Sequence, residues 1–200
     1  MMTWILLTVF FFVSFGITGV YRQIAIKNAI LDIPNQRSSH DMPTPRGGGI
    51  AITISFYAAL VFLYFNNVIE PSIFFSLLTG VILVIVGILD DVYQLPASVR
   101  FILQFITALL ALYFLGGLQK LDLGFFIIQS SVVLSIITSV GIVWFINLYN
   151  FIDGIDGYAS MESIFFGLAV FVFTQSWIAL LLAVSTLGFI PWNWQKAKIF

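Results

Sequence analysis

Asn147-Leu148-Tyr149-Asn150-Phe151-Ile152-Asp153-Gly154-Ile155-Asp156-Gly157 sets two carboxamides and two carboxylates in one short stretch, with an apolar run directly before it and another directly after. An aspartate at the centre of a membrane helix costs roughly 2.5–3.5 kcal/mol on the insertion scale. A pair of them this close belongs at a membrane edge or in a wet cavity, where ionisable residues are functional candidates. The plain alternative is capping: Asp153 or Asp156 would open the next helix, since aspartate is among the best N-caps, and Gly154 and Gly157 would ease the turn. Capping accounts for one aspartate but not for both, nor for Asn147 and Asn150 at the same spacing. If the stretch is helical, positions 147, 150 and 153 share nearly one face, because residues three apart are neighbours on a helix.

The runs on either side belong to a chain of 200 residues that is 60% hydrophobic, 17% aromatic and only 8% charged, with a mean hydropathy of +1.08. A soluble domain carries about 25% charged residues. Apolar stretches recur along the whole length and leave almost no material for a soluble domain, so the composition predicts an all-α integral membrane protein in a lipid bilayer. The expected architecture is one polytopic helix bundle of about seven transmembrane helices. They run over roughly 3–21, 48–65, 73–89, 101–115, 132–148, 158–174 and 177–192, each near the length that crosses about 30 Å of hydrocarbon. Met1-Met2-Thr3 supplies no basic n-region and no A-x-A site follows, so the first run reads as a retained helix rather than a signal peptide. The chain has no cysteine, which excludes disulfides and thiolate metal sites. A net charge of −1 points neither toward nor away from an anionic ligand. No nucleic-acid partner is expected.

Orientation follows from the basic residues. Arg22, Lys27, Arg37 and Arg46 fall between the first and second spans, Arg100 between the third and fourth, and Lys196 and Lys198 after the seventh. Lys120 alone falls on the other side. The positive-inside rule makes the crowded face cytoplasmic, with the N-terminus outside and the C-terminus in the cytoplasm. The 22–47 loop, the 90–100 loop, the 147–157 stretch and the 193–200 tail then share the cytoplasmic face. The opposite loops carry little chemistry. Within 118–131, Gly124 separates two short segments that fit a small external hairpin.

Two further clusters lie on the crowded face. Asp90-Asp91 closes the third span; adjacent acids can simply end a helix at the interface, but like charges side by side repel and recruit a cation. Carboxylate oxygens are what a hard Mg²⁺ ion selects. Arg100 reads as a positive-inside anchor or as a phosphate contact. The first loop carries Arg37-Ser38-Ser39-His40-Asp41-Met42-Pro43-Thr44-Pro45-Arg46-Gly47-Gly48-Gly49. Its prolines and glycines can be a rigid entry into the second span, and it lacks the G-x-x-x-x-G-K-[ST] spacing of a Walker loop. Arg37, His40 and Arg46 beside exposed backbone N–H groups suit a phosphate-rich ligand, although a histidine such as His40 is often an ordinary surface residue. Four carboxylates and a basic, glycine-rich loop on one face suit phosphoryl transfer, where positioning and charge neutralisation do most of the work. A soluble phosphosugar donor and a membrane-held acceptor would meet at such a boundary.

In order and spacing, the Arg37–His40 and Pro43–Gly49 segments, Asp90-Asp91 and the Asn147–Gly157 stretch resemble the polyprenyl-phosphate N-acetylhexosamine-1-phosphate transferases of glycosyltransferase family 4. That family includes phospho-N-acetylmuramoyl-pentapeptide transferase and undecaprenyl-phosphate N-acetylglucosamine-1-phosphate transferase. The PTPRGGG loop and the Asn-Leu-Tyr-Asn-Phe wording are closer to the branch that initiates O-antigen and related cell-surface glycans. The resemblance implies a bacterial inner-membrane enzyme with a cytoplasmic active face and Mg²⁺ as its ion, Mn²⁺ being an alternative. Undecaprenyl phosphate would attack a UDP-N-acetylhexosamine, releasing UMP and leaving a lipid diphosphate sugar. It implies that Asp90 and Asp91 position the lipid phosphate and take its proton. Asn150, Asp153 and Asp156 would hold the nucleotide-sugar diphosphate and its ion, the Arg46–Gly49 loop would shape the floor of the site, and Asn147, Arg37, His40, Thr44, Gly47, Gly48 and Arg100 would be among the substrate contacts. Asp90, Asp91, Asp153 and Asp156 are its metal candidates in this chain, and a homodimer is compatible with it.

The sequence also departs from the family pattern. After a segment like Asn193-Trp194-Gln195-Lys196-Ala197-Lys198-Ile199-Phe200, family members continue with Met-Gly-Asp and later a histidine-rich loop, which would bring the main metal ligand. The chain is therefore expected to be one transmembrane transferase domain, roughly the N-terminal two-thirds of the family fold, with impaired activity. Two other readings stand beside this one: a transporter using acidic relay residues, and a non-catalytic truncated remnant.

Overall fold

A computed structural model describes residues 2–34, 42–152 and 155–200. Its helices are α1 (Met2–Lys27), α2 (Gly49–Phe65), α3 (Pro71–Leu78), α4 (Gly80–Tyr93), α5 (Ala97–Leu115), α6 (Ser131–Ile152), α7 (Tyr158–Thr174) and α8 (Trp177–Asn193). Four minimal strands accompany them: β1 (Leu31–Asp32) pairs antiparallel with β2 (Thr44–Pro45), and β3 (Leu121–Asp122) with β4 (Ile127–Ile128). Helices dominate for a physical reason, since hydrocarbon offers no partner for a bare N–H or C=O and a helix satisfies these groups internally.

Among the described residues four stretches are long and apolar enough to cross a membrane: Trp4–Lys27, Pro71–Asp91, Ala97–Leu115 and Ser131–Phe151. The apolar helices α2, α7 and α8 have 17 residues each, about 26 Å at the helical rise and so at the lower limit for spanning. The expected third span is one rod with a seam. Pro71 opens it where a missing N–H costs nothing. At the seam the Thr79 hydroxyl donates to the Ser76 carbonyl (2.6 Å), a back-bond of the kind that bends helices. The chain is an all-α polytopic membrane protein, as its composition predicts.

The described residues form two compact units, residues 1–62 with 151–200, and residues 63–150. In the first, α8 is central and packs on α7 and α1. Small residues make the approach close, as is usual between membrane helices. A side chain at Gly188 would meet the Ser14 Cβ at 2.8 Å, and one at Gly167 the Ala179 carbonyl at 2.7 Å. Buried hydroxyls add specificity: Ser185 Oγ donates to Ser55 Oγ (3.2 Å), which donates to the Phe10 carbonyl (3.0 Å). In the second unit α5 is central, with α3 and α4 against it. Aromatic contacts hold this packing, Tyr64 stacking on Phe74 at 4.1 Å and Phe75 meeting Phe114 at 5.7 Å.

The hairpin expected within 118–131 is present as β3–β4. The β1–β2 ladder was not anticipated from the sequence. It matches Leu31 with Pro45 and Asp32 with Thr44, and Pro45 is tolerated because its missing N–H lies on an edge.

Candidate functional site

In the first unit the 193–200 tail gathers the polar residues. The glycine-rich loop leaves β2 and turns at Gly47, whose φ of +91° favours glycine and whose Cβ, if it had one, would stand 2.6 Å from the Tyr21 hydroxyl. The next residue meets the tail: Gly48 N donates to the Phe200 carbonyl (2.6 Å), and Phe200 N donates to the Pro45 carbonyl (2.8 Å). The tail thus runs beside the loop as a further strand would. Arg22 Nε donates to the Lys198 carbonyl (3.1 Å), and the Lys198 ammonium stands 5.8 Å from the centroid of Trp192. Ile199 is fully buried beneath these contacts.

The same tail grips the turn before α7. Asp156 Oδ2 accepts from Ala197 N (2.8 Å). Asn193, at the end of α8, accepts at Oδ1 from both Gly157 N and Ser160 Oγ (3.1 Å each) and donates through Nδ2 to the Ile199 carbonyl (3.0 Å). Asp156 therefore does not cap α7, whose N-cap residue Gly157 has φ +71° and no side-chain cap. The amide of Asn193 takes the turn's N–H instead. Asp156 Oδ1 is buried without a hydrogen-bond partner among the described residues. Thr44 is buried, its hydroxyl donating to the Met42 carbonyl (3.0 Å), and Arg46 is half-buried.

In the second unit the polar residues line the opening of α5. Asp90, in the last turn of α4, pairs with Arg100 in the first turn of α5 at 2.7 Å. Each is at the unfavourable end for its helix dipole, an acid at a C-terminus and a base at an N-terminus. Their pairing offsets both. One turn further along α5, Gln104 Oε1 accepts from Asn147 Nδ2 of α6 (2.7 Å), and Asn147 also donates to the Val143 carbonyl (2.7 Å). Asn150 is exposed one turn beyond Asn147 and Asp91 is exposed beside Asp90. A groove of about 410 Å³ runs along α5 and α6, lined by Phe105, Leu109, Val132, Ile136 and Val140, with the buried, unpartnered hydroxyl of Ser139 in its wall.

Gly48 and Asp156 thus bond to one tail, with Thr44, Arg46 and Gly47 in the loop that Gly48 belongs to, and Asp90, Arg100 and Asn147 gather at one helix end. Arg37, His40 and Asp153 lie outside the described residues. Two participants were missed in the sequence. Gln104, an amide within an apolar span, carried a usable signal; Asn193 carried none beyond its place in the tail. Among the described residues no three carboxylates or histidines gather closely enough to cage an ion. Mg²⁺ needs only one or two carboxylates, with waters and substrate phosphates completing its shell, and the unpartnered Asp156 Oδ1 is a donor of the right kind.

The chain is similar to a probable undecaprenyl-phosphate N-acetylglucosaminyl 1-phosphate transferase of Bacillus subtilis, with 32% identity over 203 residues covering 92% of this chain and 53% of that protein. An undecaprenyl-phosphate alpha-N-acetylglucosaminyl 1-phosphate transferase of Thermotoga maritima is 32% identical, over 94% of this chain and 56% of its own length. A decaprenyl-phosphate N-acetylglucosaminephosphotransferase of Mycolicibacterium smegmatis is 29% identical, over 94% and 52%. The chain spans about half the length of these curated relatives. The family model described as glycosyl transferase family 4 matches residues 73–200, which take in the α4–α5 ion pair, the Asn147–Gly157 stretch and the tail, and the chain belongs to that family.

Proposed function

We propose that this chain carries the catalytic framework for transferring an N-acetylhexosamine 1-phosphate from a UDP-sugar to undecaprenyl phosphate, the first step of a cell-surface glycan. The observation that carries this reading is the combination on α5 and α6. A charged pair, Asp90 with Arg100, opens α5, and an apolar groove follows along the same helix. A polyprenyl phosphate has those two parts, a phosphate head and a hydrocarbon tail.

Asp90 and Asp91 orient the acceptor phosphate and take its proton. Arg100 holds the Asp90 carboxylate and faces the anionic head. Asp153 and Asp156 hold the donor diphosphate, and the Thr44–Gly48 loop with Arg46 supports it. Mg²⁺, when bound, neutralises phosphate charge, and Asp156 with Asp153 would hold it. The basic residues Arg22, Lys27, Arg46, Lys196 and Lys198 support a cytoplasmic placement for this face of an inner-membrane protein.

The test uses membranes carrying the chain, alone and joined in frame to the remaining length its relatives possess. They are incubated with undecaprenyl phosphate, Mg²⁺ and labelled UDP-N-acetylhexosamines. Lipid-linked label that disappears in Asp90→Asn supports the reading. Absence of such label from both forms with every donor overturns it.

A further inference from the structure

Between α5 and α6 the chain makes a hairpin whose apolar side chains have little of the protein over them. Its strands are two residues each, closed by Leu123 N donating to the Phe126 carbonyl (3.1 Å) and Gly124 N donating to Asp122 Oδ1 (3.0 Å). Phe125 is 82% exposed, Phe126 50% and Ile127 51%, and the two rings meet edge-on at 4.9 Å. The other end is polar, Lys120 lying 3.8 Å from Asp122. An isolated two-stranded hairpin is marginal in water and needs a third layer against its apolar face.

The flanking helices fix what that layer is. The α5 and α6 helices are each long and apolar enough to cross a membrane, so Leu115 and Ser131 lie at its boundary. Phe126 is five residues from Ser131, at most about 17 Å along an extended chain. The hairpin therefore stays beside the headgroup layer, where aromatic residues of amphipathic segments sink about 5–10 Å toward the acyl chains.

We propose that the β3–β4 hairpin is an interfacial anchor: Phe125 and Phe126 insert into the phospholipid leaflet at which α5 ends and α6 begins, leaving Lys120 and Asp122 among the headgroups. The anchor sets the depth of both helices. Arg100 precedes Leu115 by fifteen residues and Asn147 follows Ser131 by sixteen, about 23 Å of helix in either case. Fixing one end therefore fixes the height of the polar pairs at the other.

The absence of cysteine allows a unique label at a chosen position. Phe125→Cys, Phe126→Cys and Lys120→Cys are each made in the full chain, nitroxide-labelled and reconstituted into vesicles of phosphatidylethanolamine and phosphatidylglycerol. Collision rates are read with oxygen, which concentrates among acyl chains, and with a water-soluble nickel chelate. The labels at 125 and 126 are expected to meet oxygen several-fold more often than nickel, and the label at 120 to show the reverse. Nickel access at 125 and 126 equal to that at 120 would place the tip in water and overturn the anchor. Labels at 125 and 126 shielded from both relaxers and broadened by spin–spin coupling would show a second copy covering the tip, which also overturns it. The position 126 variant decides the matter if the one at 125 does not reconstitute.

Discussion

In the first unit Asp156, Asn193 and Gly48 find partners in the main chain of the tail, at Ala197 N, the Ile199 carbonyl and the Phe200 carbonyl. In the second unit Asp90 finds the Arg100 side chain and Asn147 the Gln104 side chain, at a half-exposed helix end. A buried main-chain group that loses its partner has no water to replace it, whereas water takes up a half-exposed side chain at little cost. The first set therefore holds a shape, with Asp156 Oδ1 alone left over for a ligand, and the second remains available. Substitutions in the two sets should separate stability from activity.

The largest separation is expected for Asp90→Asn. If this carboxylate takes the acceptor's proton, its loss lowers turnover by roughly 10²–10⁴-fold, the range for a general base. Its ion pair is half-exposed, so thermal unfolding in detergent should move by no more than about 1 kcal/mol. Parallel losses of melting temperature and turnover would break the contrast, because Asp90 would then be a structural residue.

Asn193→Ala should behave in the opposite way. It strips partners from Gly157 N, Ser160 Oγ and the Ile199 carbonyl, and each unsatisfied buried group costs about 1–3 kcal/mol. A fall in melting temperature corresponding to about 3 kcal/mol or more is expected. Ser160→Ala removes only one of these bonds and adds no charge, so it should cost distinctly less. Equal melting temperatures for the two variants would show that the amide is not the staple. Gly157→Ala comes next, at about 1–2 kcal/mol for the left-handed backbone alone, with the Trp194 ring 3.0 Å from the new Cβ adding to it.

The same difference governs what could be read from the sequence. Helix positions were legible because long apolar runs fix them, four of the expected seven being long enough to span, and the seam at Thr79 leaves the third rod continuous over Pro71–Asp91. Asp90 and Arg100 were legible as separate charges in an oily chain. Their pairing was not, because it depends on how Gln94–Pro96 turns α4 into α5. The tail was read only as part of a motif, and its contacts in the fold are long-range: Asn193, Ala197 and Phe200 bind residues more than thirty positions earlier in the chain. No spacing rule reaches that far. Capping by Asp156 was a sound local reading that tertiary structure overrode, since the Ala197 N–H took the carboxylate and Asn193 took the turn.

The smallest expected effect on stability is also the most discriminating. Arg100→Gln removes one half of a pair in which both side chains are partly exposed, at 39% and 28%, so the lost attraction is worth at most about 1 kcal/mol. Removing a cation from the first turn of α5 returns about 0.3–1 kcal/mol of dipole energy, and the two terms nearly cancel. Melting temperature should therefore stay close to that of the parent. The two readings of Arg100 then diverge in kinetics alone. As a membrane-face anchor, its loss leaves the KM for undecaprenyl phosphate unchanged. If the guanidinium faces the acceptor head, KM for the lipid rises while KM for the UDP-sugar does not. A shift confined to the UDP-sugar would move Arg100 to the donor side and require the α4–α5 opening to be reassigned.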